Sequence, residues 1–362
     1  MSARHLAALA ACLLLPAPLL AADPVIPAID RLVKPHVGRD TPGLGVLVTK
    51  NGRILHIKGY GYADLDAKTP VTPDSLFDLA SVSKQMTAQA AMLQMEDGLY
   101  GPETEISTVL PAFAGQPGGE RALTVSDLIH HVSGLADYLD GNDSLNYGEE
   151  TTNAQVVAWL AKQPLAHPPG RHFDYSNSGY LTLGTLVAAA DEAASLDAVL
   201  NARIFGPLGM TSTALNTSER IDEDREVTGY SGTKGQFEES YSPTVTEGDG
   251  NVYTSLADLA RYEKALATNR LLSAEATARL FENGRYDSGR PIRTEGEGYA
   301  YGWSVTNDEP RYAYHSGSWM GTATYYQRNL TTGITVILLA NGEDMSEGDL
   351  ATDIEAAAEK AE

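Results

Sequence analysis

The sequence predicts an α/β fold of the α+β type, in which one antiparallel sheet is built from both ends of the chain and flanked by helices. Short runs rich in β-branched and aromatic residues, bounded by turn residues, occur at 43–59 and again from 299 onward. Helical patterns with caps and glycine stops fill the stretch between them. This order predicts a single sheet with a mainly helical domain inserted beside it.

The first elements are a strand pair and a long helix. Strand candidates at 43–49 and 53–59 flank Asn51-Gly52, which is a strong hairpin turn signal. A helix is then predicted over 81–97, because alanine, methionine and leucine cover nearly all of its faces. A helix this apolar is normally buried in the middle of a protein.

The remaining elements follow the same two patterns. Helices are predicted at 124–131, 152–162, 179–190, 255–267 and 349–360. Strands are predicted at 301–305, 312–315, 322–327 and 333–339. The acidic, glycine-containing segment 216–250 predicts a loop, and it is the candidate lid or rim of a site.

The N-terminus has the pattern of a secretory signal peptide over residues 1–22. Arg4 and His5 precede an apolar run, and small residues come directly before Asp23. The run is too short and too interrupted by proline to favour a membrane span. Cys12 is the only cysteine, so the exported chain is expected to form no disulfide. The pattern predicts a periplasmic or secreted protein.

The rest of the chain is predicted to form a sheet domain from 23–80 and 250–362 and a mainly helical domain from 81–249, with the site at their seam. The net charge of −22 disfavours nucleic acid and anionic membranes as partners. No cluster with metal-ligand spacing and no nucleotide-binding glycine motif occurs in the sequence, so no metal or other cofactor is expected. The oligomeric state stays open.

The first candidate for chemistry is the pair Ser81 and Lys84. Residues three apart on a helix share one face, so the lysine amine can reach the serine hydroxyl. Such a pair makes a nucleophile without histidine when the lysine is partly desolvated or takes part in proton transfer. The Ser-x-x-Lys pattern is weak alone. It recurs at Ser231 and Lys234, where glycines predict a loop instead of a helix.

Two further motifs follow in chain order. Tyr175-x-Asn177 lies in a predicted loop, and His315-Ser316-Gly317 comes at the predicted end of a strand. Each is short enough to arise by chance. Their order and context strengthen them: a nucleophile at a helix start, a tyrosine in a loop and a His-x-Gly closing a strand. Together they indicate a candidate site for acyl transfer.

These motifs resemble those of the serine β-lactamase and penicillin-binding-protein superfamily, and most closely the class C β-lactamase-like proteins with their esterase and D-amino-acid peptidase relatives. Residues 59–64, 128–135, 206–210 and 248–255 also look like stretches of that family. The resemblance covers most of the chain after the signal peptide. It implies a β-lactamase/transpeptidase-like fold, with an antiparallel sheet and a helical domain.

The resemblance also implies roles. Ser81 would attack an acyl carbonyl and form an acyl-enzyme, and Lys84 would accept or relay its proton. Tyr175 would be the general base and later activate the deacylating water. Asn177 would position the substrate or Lys84. The backbone N–H groups of Ser81 and Ser318 would form the oxyanion hole.

The chain departs from many β-lactamases at one position, where His315 precedes Ser316 and Gly317 in place of a Lys-Thr-Gly sequence. A histidine is mostly neutral at pH 7 unless a partner raises its pKa, whereas lysine is a fixed cation that can hold a substrate carboxylate. The substitution favours small ester, amide or D-amino-acid peptide substrates. Two alternatives stay open: a class C-type β-lactamase or D,D-carboxypeptidase acting on β-lactams or cell-wall-derived peptides, and a non-catalytic cell-wall-binding or assembly protein.

Overall fold

A seven-stranded antiparallel sheet forms the centre of the computed structural model, which describes residues 26–140, 151–233, 235–243, 245–292, 296–343 and 347–361. In spatial order its strands are β10 (Glu297–Tyr299), β11 (Ser304–Thr306), β12 (Tyr312–Trp319), β13 (Thr322–Asn329), β14 (Ile334–Ala340), β1 (Leu44–Lys50) and β2 (Arg53–Tyr60). The two ends of the chain meet where β14 pairs with β1, with Leu44 opposite Ala340. The predicted sheet built from both chain ends is therefore confirmed.

Helices cover both faces of this sheet. Helices α1 (Pro27–Val33) and α10 (Glu347–Ala361) pack on one face, and α8 (Leu256–Ala267) packs against β1 and β2. Strand β14 is buried along its whole length, which matches its continuous apolar sequence. The sheet is thus a buried layer between helices, next to which the candidate site lies.

The inserted segment is mainly helical. Its helices are α2 (Lys84–Glu96), α3 (Val125–Ile129), α4 (Asn153–Leu160), α5 (Asn177–Ala190), α6 (Leu196–Leu200) and α7 (Gly206–Leu208), with a π-helical turn at Asn201–Phe205, and α9 (Ala274–Arg279) follows α8. The long helix α2 packs against α5, and most of its side chains are buried. The burial predicted from its apolar pattern is confirmed.

Short strands join the two parts. Strands β3 (Tyr62–Asp64) and β4 (Thr69–Pro70) form one pair, while β5 (Phe77–Asp78), β9 (Val252–Thr254) and β6 (Ala214–Leu215) form a three-stranded sheet. A further hairpin consists of β7 (Tyr230–Thr233) and β8 (Gln236–Glu239). This hairpin lies inside the segment 216–250, so the prediction of a plain loop there was wrong in part.

Several predicted element ends differ from the structure, and two of them bear on the site. The α-helix begins at Lys84, and Ala80–Ser83 forms a tighter 3₁₀ turn ahead of it. Strand β12 continues past Gly317 to Trp319, so the His-x-Gly motif lies within the strand and does not close it. The predicted signal peptide and Lys234 lie outside the described residues. Within the described parts of the chain, no helix is both long enough and apolar enough to cross a membrane.

Candidate active site

A cavity of about 520 Å³ lies where the 3₁₀ turn, strand β12 and the loop before α5 meet. Six of the eight predicted site residues line it: Ser81, Tyr175, Asn177, His315, Ser316 and Ser318. The other two, Lys84 and Gly317, lie directly behind the lining residues. The structure therefore brings together three motifs that are far apart in the sequence.

The 3₁₀ turn explains how Ser81 meets Lys84. Side chains three residues apart nearly eclipse in 3₁₀ geometry, so the pair stays together although the α-helix starts later than predicted. Lys84 Nζ lies 3.0 Å from Ser81 Oγ. The lysine side chain is fully buried. A buried lysine is costly unless its donors are satisfied.

Lys84 meets that requirement with two more partners. Its Nζ donates to Asn177 Oδ1 at 2.9 Å and to the backbone carbonyl of Asp249 at 2.6 Å. An ammonium group has three donors, which these three contacts use completely. A neutral amine has two donors and one lone pair, which the same contacts also satisfy if Ser81 donates. The site can therefore hold either protonation state of Lys84 without rearrangement, as proton transfer requires.

The turn that carries Ser81 is fixed from the sheet. Ala80 has a left-handed φ of 45°, and Asp78 Oδ1 accepts a hydrogen bond from its N–H at 2.8 Å. Thr322 and Thr324 of β13 donate their hydroxyls to the carbonyls of Asp78 and Leu79. A left-handed non-glycine residue costs about 1–2 kcal/mol and persists only where its surroundings enforce it.

Gly317 permits the close approach of β12 to this turn. A Cβ atom at this position would lie 2.5 Å from the Leu79 carbonyl oxygen and 3.1 Å from Ala80 Cβ. Only glycine fits such an approach without movement. The next residues along each chain segment are Ser318 and Ser81, and both line the cavity. Their backbone N–H groups therefore stay the candidates for binding an oxyanion.

The loop before α5 supplies the third part of the site. Ser176 caps α5 by accepting a hydrogen bond from Gly179 N at 2.9 Å, and Asn177 is the first residue of the helix. The ring of Tyr175 is 38% exposed, and its centroid lies 5.0 Å from Lys84 Nζ. The three residues of this short motif thus have separate roles, because Tyr175 faces the cavity, Ser176 starts the helix and Asn177 holds Lys84.

His315 is buried and held in one neutral form. Its Nδ1–H donates to the Ser316 carbonyl at 2.6 Å, because a carbonyl only accepts, and its Nε2 accepts from the Tyr299 hydroxyl at 3.0 Å. Burial, and then the nearby charge of Lys84, lowers the pKa of His315 to about 4. The position where the family resemblance leads one to expect a lysine is therefore uncharged at neutral pH here.

Several residues of the site were not predicted. Burial raises the pKa of the Asp78 carboxyl to about 7, and burial also raises the pKa of Asp249. Asp249 lies in the family-like stretch 248–255, so a signal for it was present. No local pattern marks Tyr299 or Asp78, because their contacts come from distant parts of the chain. Among the described residues, no group of His, Cys, Asp and Glu has the arrangement of a metal site.

Comparison with known proteins identifies the family. The family model for beta-lactamase matches residues 29–360. The chain belongs to the beta-lactamase family. Penicillin-binding protein 4* of Bacillus subtilis (strain 168) is 30% identical over 321 residues, covering 83% of this chain and 68% of that protein. Other curated relatives are longer, and the chain spans 60–62% of their length.

Solved structures agree with this family fold. The D-amino acid amidase from Ochrobactrum anthropi SV3, complexed with D-phenylalanine, has a TM-score of 0.75 at 22% identity, with 93% of this chain and 99% of that chain covered. EstCE1, a hydrolase with promiscuous acyltransferase activity, has a TM-score of 0.74 at 21% identity, covering 92% of this chain and 98% of that one. Both likenesses show the fold. As a beta-lactamase family member, the protein is a serine hydrolase whose class stays unresolved.

Proposed function

We propose that the protein forms an acyl-enzyme at Ser81 and hydrolyses small ester, amide or D-amino-acid peptide substrates. The observation that carries this proposal is Lys84, which is fully buried and bonded to Ser81 Oγ. Two further acceptors hold its amine in place. A purely structural lysine gains nothing from burial beside a serine hydroxyl, because desolvating its charge is costly.

The proposed reaction has two stages. Ser81 Oγ attacks the substrate carbonyl carbon, and its proton passes to the neutral amine of Lys84 or to Tyr175 as its phenolate. The leaving group takes up that proton as its bond to the carbonyl breaks. Tyr175, as its phenolate, then removes a proton from a water that attacks the acyl carbon. This proton passes to Ser81 Oγ as the bond between Oγ and the acyl group breaks, which releases the acid and regenerates the Ser81 hydroxyl. The N–H groups of Ser81 and Ser318 stabilise the oxyanion in both stages.

The lining of the cavity supports uncharged substrates. It includes six aromatic residues: Tyr138, Phe173, Tyr175, Tyr299, Tyr314 and Trp319. None of the described lining residues carries a fixed positive charge, and His315 is held neutral. Such a wall favours apolar or aromatic acyl groups over carboxylates. Relatives whose names indicate a D-amino acid amidase and a hydrolase with acyltransferase activity also support this substrate class.

The second candidate function is that of a β-lactamase or D,D-carboxypeptidase. The family assignment and the penicillin-binding relative favour it. The neutral His315 weighs against it, because a β-lactam, and the C-terminal residue that a carboxypeptidase removes, place a carboxylate next to the bond that is cleaved. A non-catalytic cell-wall-binding or assembly role remains the third alternative, and the intact Ser81–Lys84 contact weighs against that role.

A labelling experiment tests the first proposal. The wild-type protein should gain the mass of one fluorophosphonate adduct, which peptide mapping should place on Ser81. Ser81→Ala should abolish labelling, while Ser231→Ala, at the second Ser-x-x-Lys match, should leave it unchanged. Labelling that survives in Ser81→Ala contradicts the assignment. Turnover of a short p-nitrophenyl ester against a chromogenic cephalosporin then separates the first candidate from the second.

We also propose that the protein is exported to the periplasm or secreted. The support is the polar start and apolar run of residues 1–22. Expression with the natural N-terminus should give an extracytoplasmic protein that begins near Asp23, as determined by intact mass. A cytoplasmic protein that retains Met1 contradicts export.

A further inference from the structure

His131 lies directly behind Tyr175, outside the set of residues to which a role has been given above. It follows helix α3, it is 1% exposed, and its φ is +56°. In the left-handed region a non-glycine residue is strained, and such strain clusters at functional sites. The unusual backbone of His131 therefore needs a physical reason.

Two hydrogen bonds that flank Tyr175 in sequence supply that reason. The His131 carbonyl accepts from Asp174 N at 2.8 Å, and the imidazole Nδ1 accepts from Ser176 N at 3.0 Å. One residue therefore holds the backbone immediately before and immediately after Tyr175. The left-handed φ turns both the carbonyl and the ring of His131 toward the same short segment.

The imidazole also packs against the phenol ring. Its centroid lies 4.4 Å from that of Tyr175 and 4.3 Å from that of Tyr299. Because Nδ1 accepts from Ser176, Nε2 carries the ring proton, and among the described residues Nε2 has no hydrogen-bond partner. Burial, and then the charge of Lys84, keeps the pKa of His131 well below its ordinary value. A protonated ring would lose the Ser176 bond, so the neutral form belongs to this arrangement.

We propose that His131 is a positioning residue for Tyr175, which fixes residues 174–176 so that the phenol stays over the Lys84 amine. The proposal rests on the proposed function, in which Tyr175 moves protons. His131 acts through the backbone of the Tyr175 segment and does not touch the reacting atoms. Its loss should therefore lower the rate of chemistry more than the binding of substrate.

Three substitutions separate the hydrogen bond from the other properties of His131. Asn supplies an acceptor oxygen near the position of Nδ1 and tolerates a left-handed φ. Leu keeps volume but has no acceptor and retains the strain. Gly relieves the strain but has no acceptor and leaves a void. Leu and Gly thus have opposite secondary defects. All three variants lose the imidazole ring, and only Asn keeps the acceptor.

In p-nitrophenyl ester hydrolysis, we expect His131→Leu and His131→Gly to lower kcat about 10- to 100-fold, the effect of a lost buried hydrogen bond, with KM within threefold of wild type. His131→Asn should retain kcat within about fivefold. In a Tyr175→Phe background, His131→Leu and His131→Gly should lower kcat only a little further, because the effects of coupled residues do not add. An Asn variant as impaired as Leu and Gly, or a full additional loss in the Tyr175→Phe background, overturns the proposal.

A second measurement does not depend on activity. Amide hydrogen exchange of the peptide spanning residues 171–178 should accelerate in His131→Leu and His131→Gly and stay near the wild-type rate in His131→Asn. Unchanged exchange in all three variants contradicts the positioning role, even if the enzyme is active. If exchange accelerates in His131→Leu and His131→Gly but the wild-type protein does not label at Ser81, the positioning role stands and the proposed function is contradicted.

Discussion

The two walls of the cavity hold polar groups in opposite ways. One wall, the helix wall, is formed by the 3₁₀ turn and the start of α2. There Lys84 is buried with three hydrogen-bond partners that accommodate either of its protonation states. The other wall, the strand wall, is formed by β12. There His315 is buried with two hydrogen-bond partners that fix one neutral tautomer. In the proposed mechanism, the first wall moves a proton. The second is built to stay uncharged.

This difference separates catalysis from substrate selection. In the proposed mechanism the nucleophile is Ser81 and its proton acceptor is Lys84, and both are fixed by the 3₁₀ turn and α2. The sign of the charge that the cavity tolerates depends on β12. Changes on the helix wall should therefore affect every substrate alike, whereas changes on the strand wall should alter the ratio between substrates.

Lys84→Met should give the largest effect. It removes the amine from the helix wall while nearly keeping the side-chain length, and kcat/KM should fall roughly 10³-fold or more for neutral and anionic substrates alike. Ester hydrolysis and cephalosporin turnover measure the two losses, and circular dichroism checks the fold. A loss that differs tenfold between the two substrates would contradict the inference that the helix wall affects all substrates alike.

The second-largest effect is expected for Tyr175→Phe, in which the loss of the hydroxyl should decrease kcat roughly 100-fold. The unfolding free energy should change little, because the ring is partly exposed and stays in place. Tyr314→Phe is a matched control, since Tyr314 lines the same cavity on the strand wall. Steady-state kinetics of both variants should show that only the first slows turnover strongly. Equal losses would mean that the tyrosines act by shaping the cavity.

The helix wall was the more predictable of the two. Ser81 and Lys84 are near neighbours in sequence, so local geometry alone brings them into contact, even though a 3₁₀ turn replaces the expected helical start. The sheet could be predicted equally well, because its strands have apolar patterns bounded by turns. The glycine of the His-x-Gly motif also has a physical reason in the close approach of β12 to Leu79.

The state of the strand wall could not be predicted from the sequence. Whether His315 is charged depends on Tyr299, on its own burial and on Lys84, and these are brought together only by the folded chain. The roles of Asp78 and His131 have the same origin. Their partners are backbone groups, Ala80 N for one and the neighbours of Tyr175 for the other, and a sequence pattern does not reveal backbone contacts.

His315→Lys tests the strand wall directly. A fixed cation there should raise the ratio of kcat/KM for an anionic cephalosporin to that for a neutral ester by about tenfold, from a charge contact worth on the order of 1 kcal/mol. His315→Gln is the neutral control and should leave the ratio unchanged. If both variants give the wild-type ratio, charge at position 315 does not limit carboxylate recognition.

Asp78→Asn should have the smallest effect on turnover, and it tests how the helix wall is held. Because burial raises the pKa of Asp78 to about 7, from an ordinary value of 3.8, the folded state binds more protons than the unfolded state between these pH values. The carboxyl therefore costs stability as pH rises from about 4 to 7. Asn keeps an acceptor for Ala80 N–H and cannot ionise.

The difference in unfolding free energy, variant minus wild type, should therefore increase by about 2–3 kcal/mol from pH 5 to pH 8. The buried histidines do not disturb this test. Burial lowers the pKa of His130 and His315 to about 4, and their effect is opposite in sign, since each makes the protein less stable as pH falls below 6.5. Both proteins contain them, so their contributions cancel in the difference. Urea unfolding at pH 5 and pH 8 measures this difference in unfolding free energy. If the difference does not change with pH, Asp78 is ionised in the folded protein throughout this range.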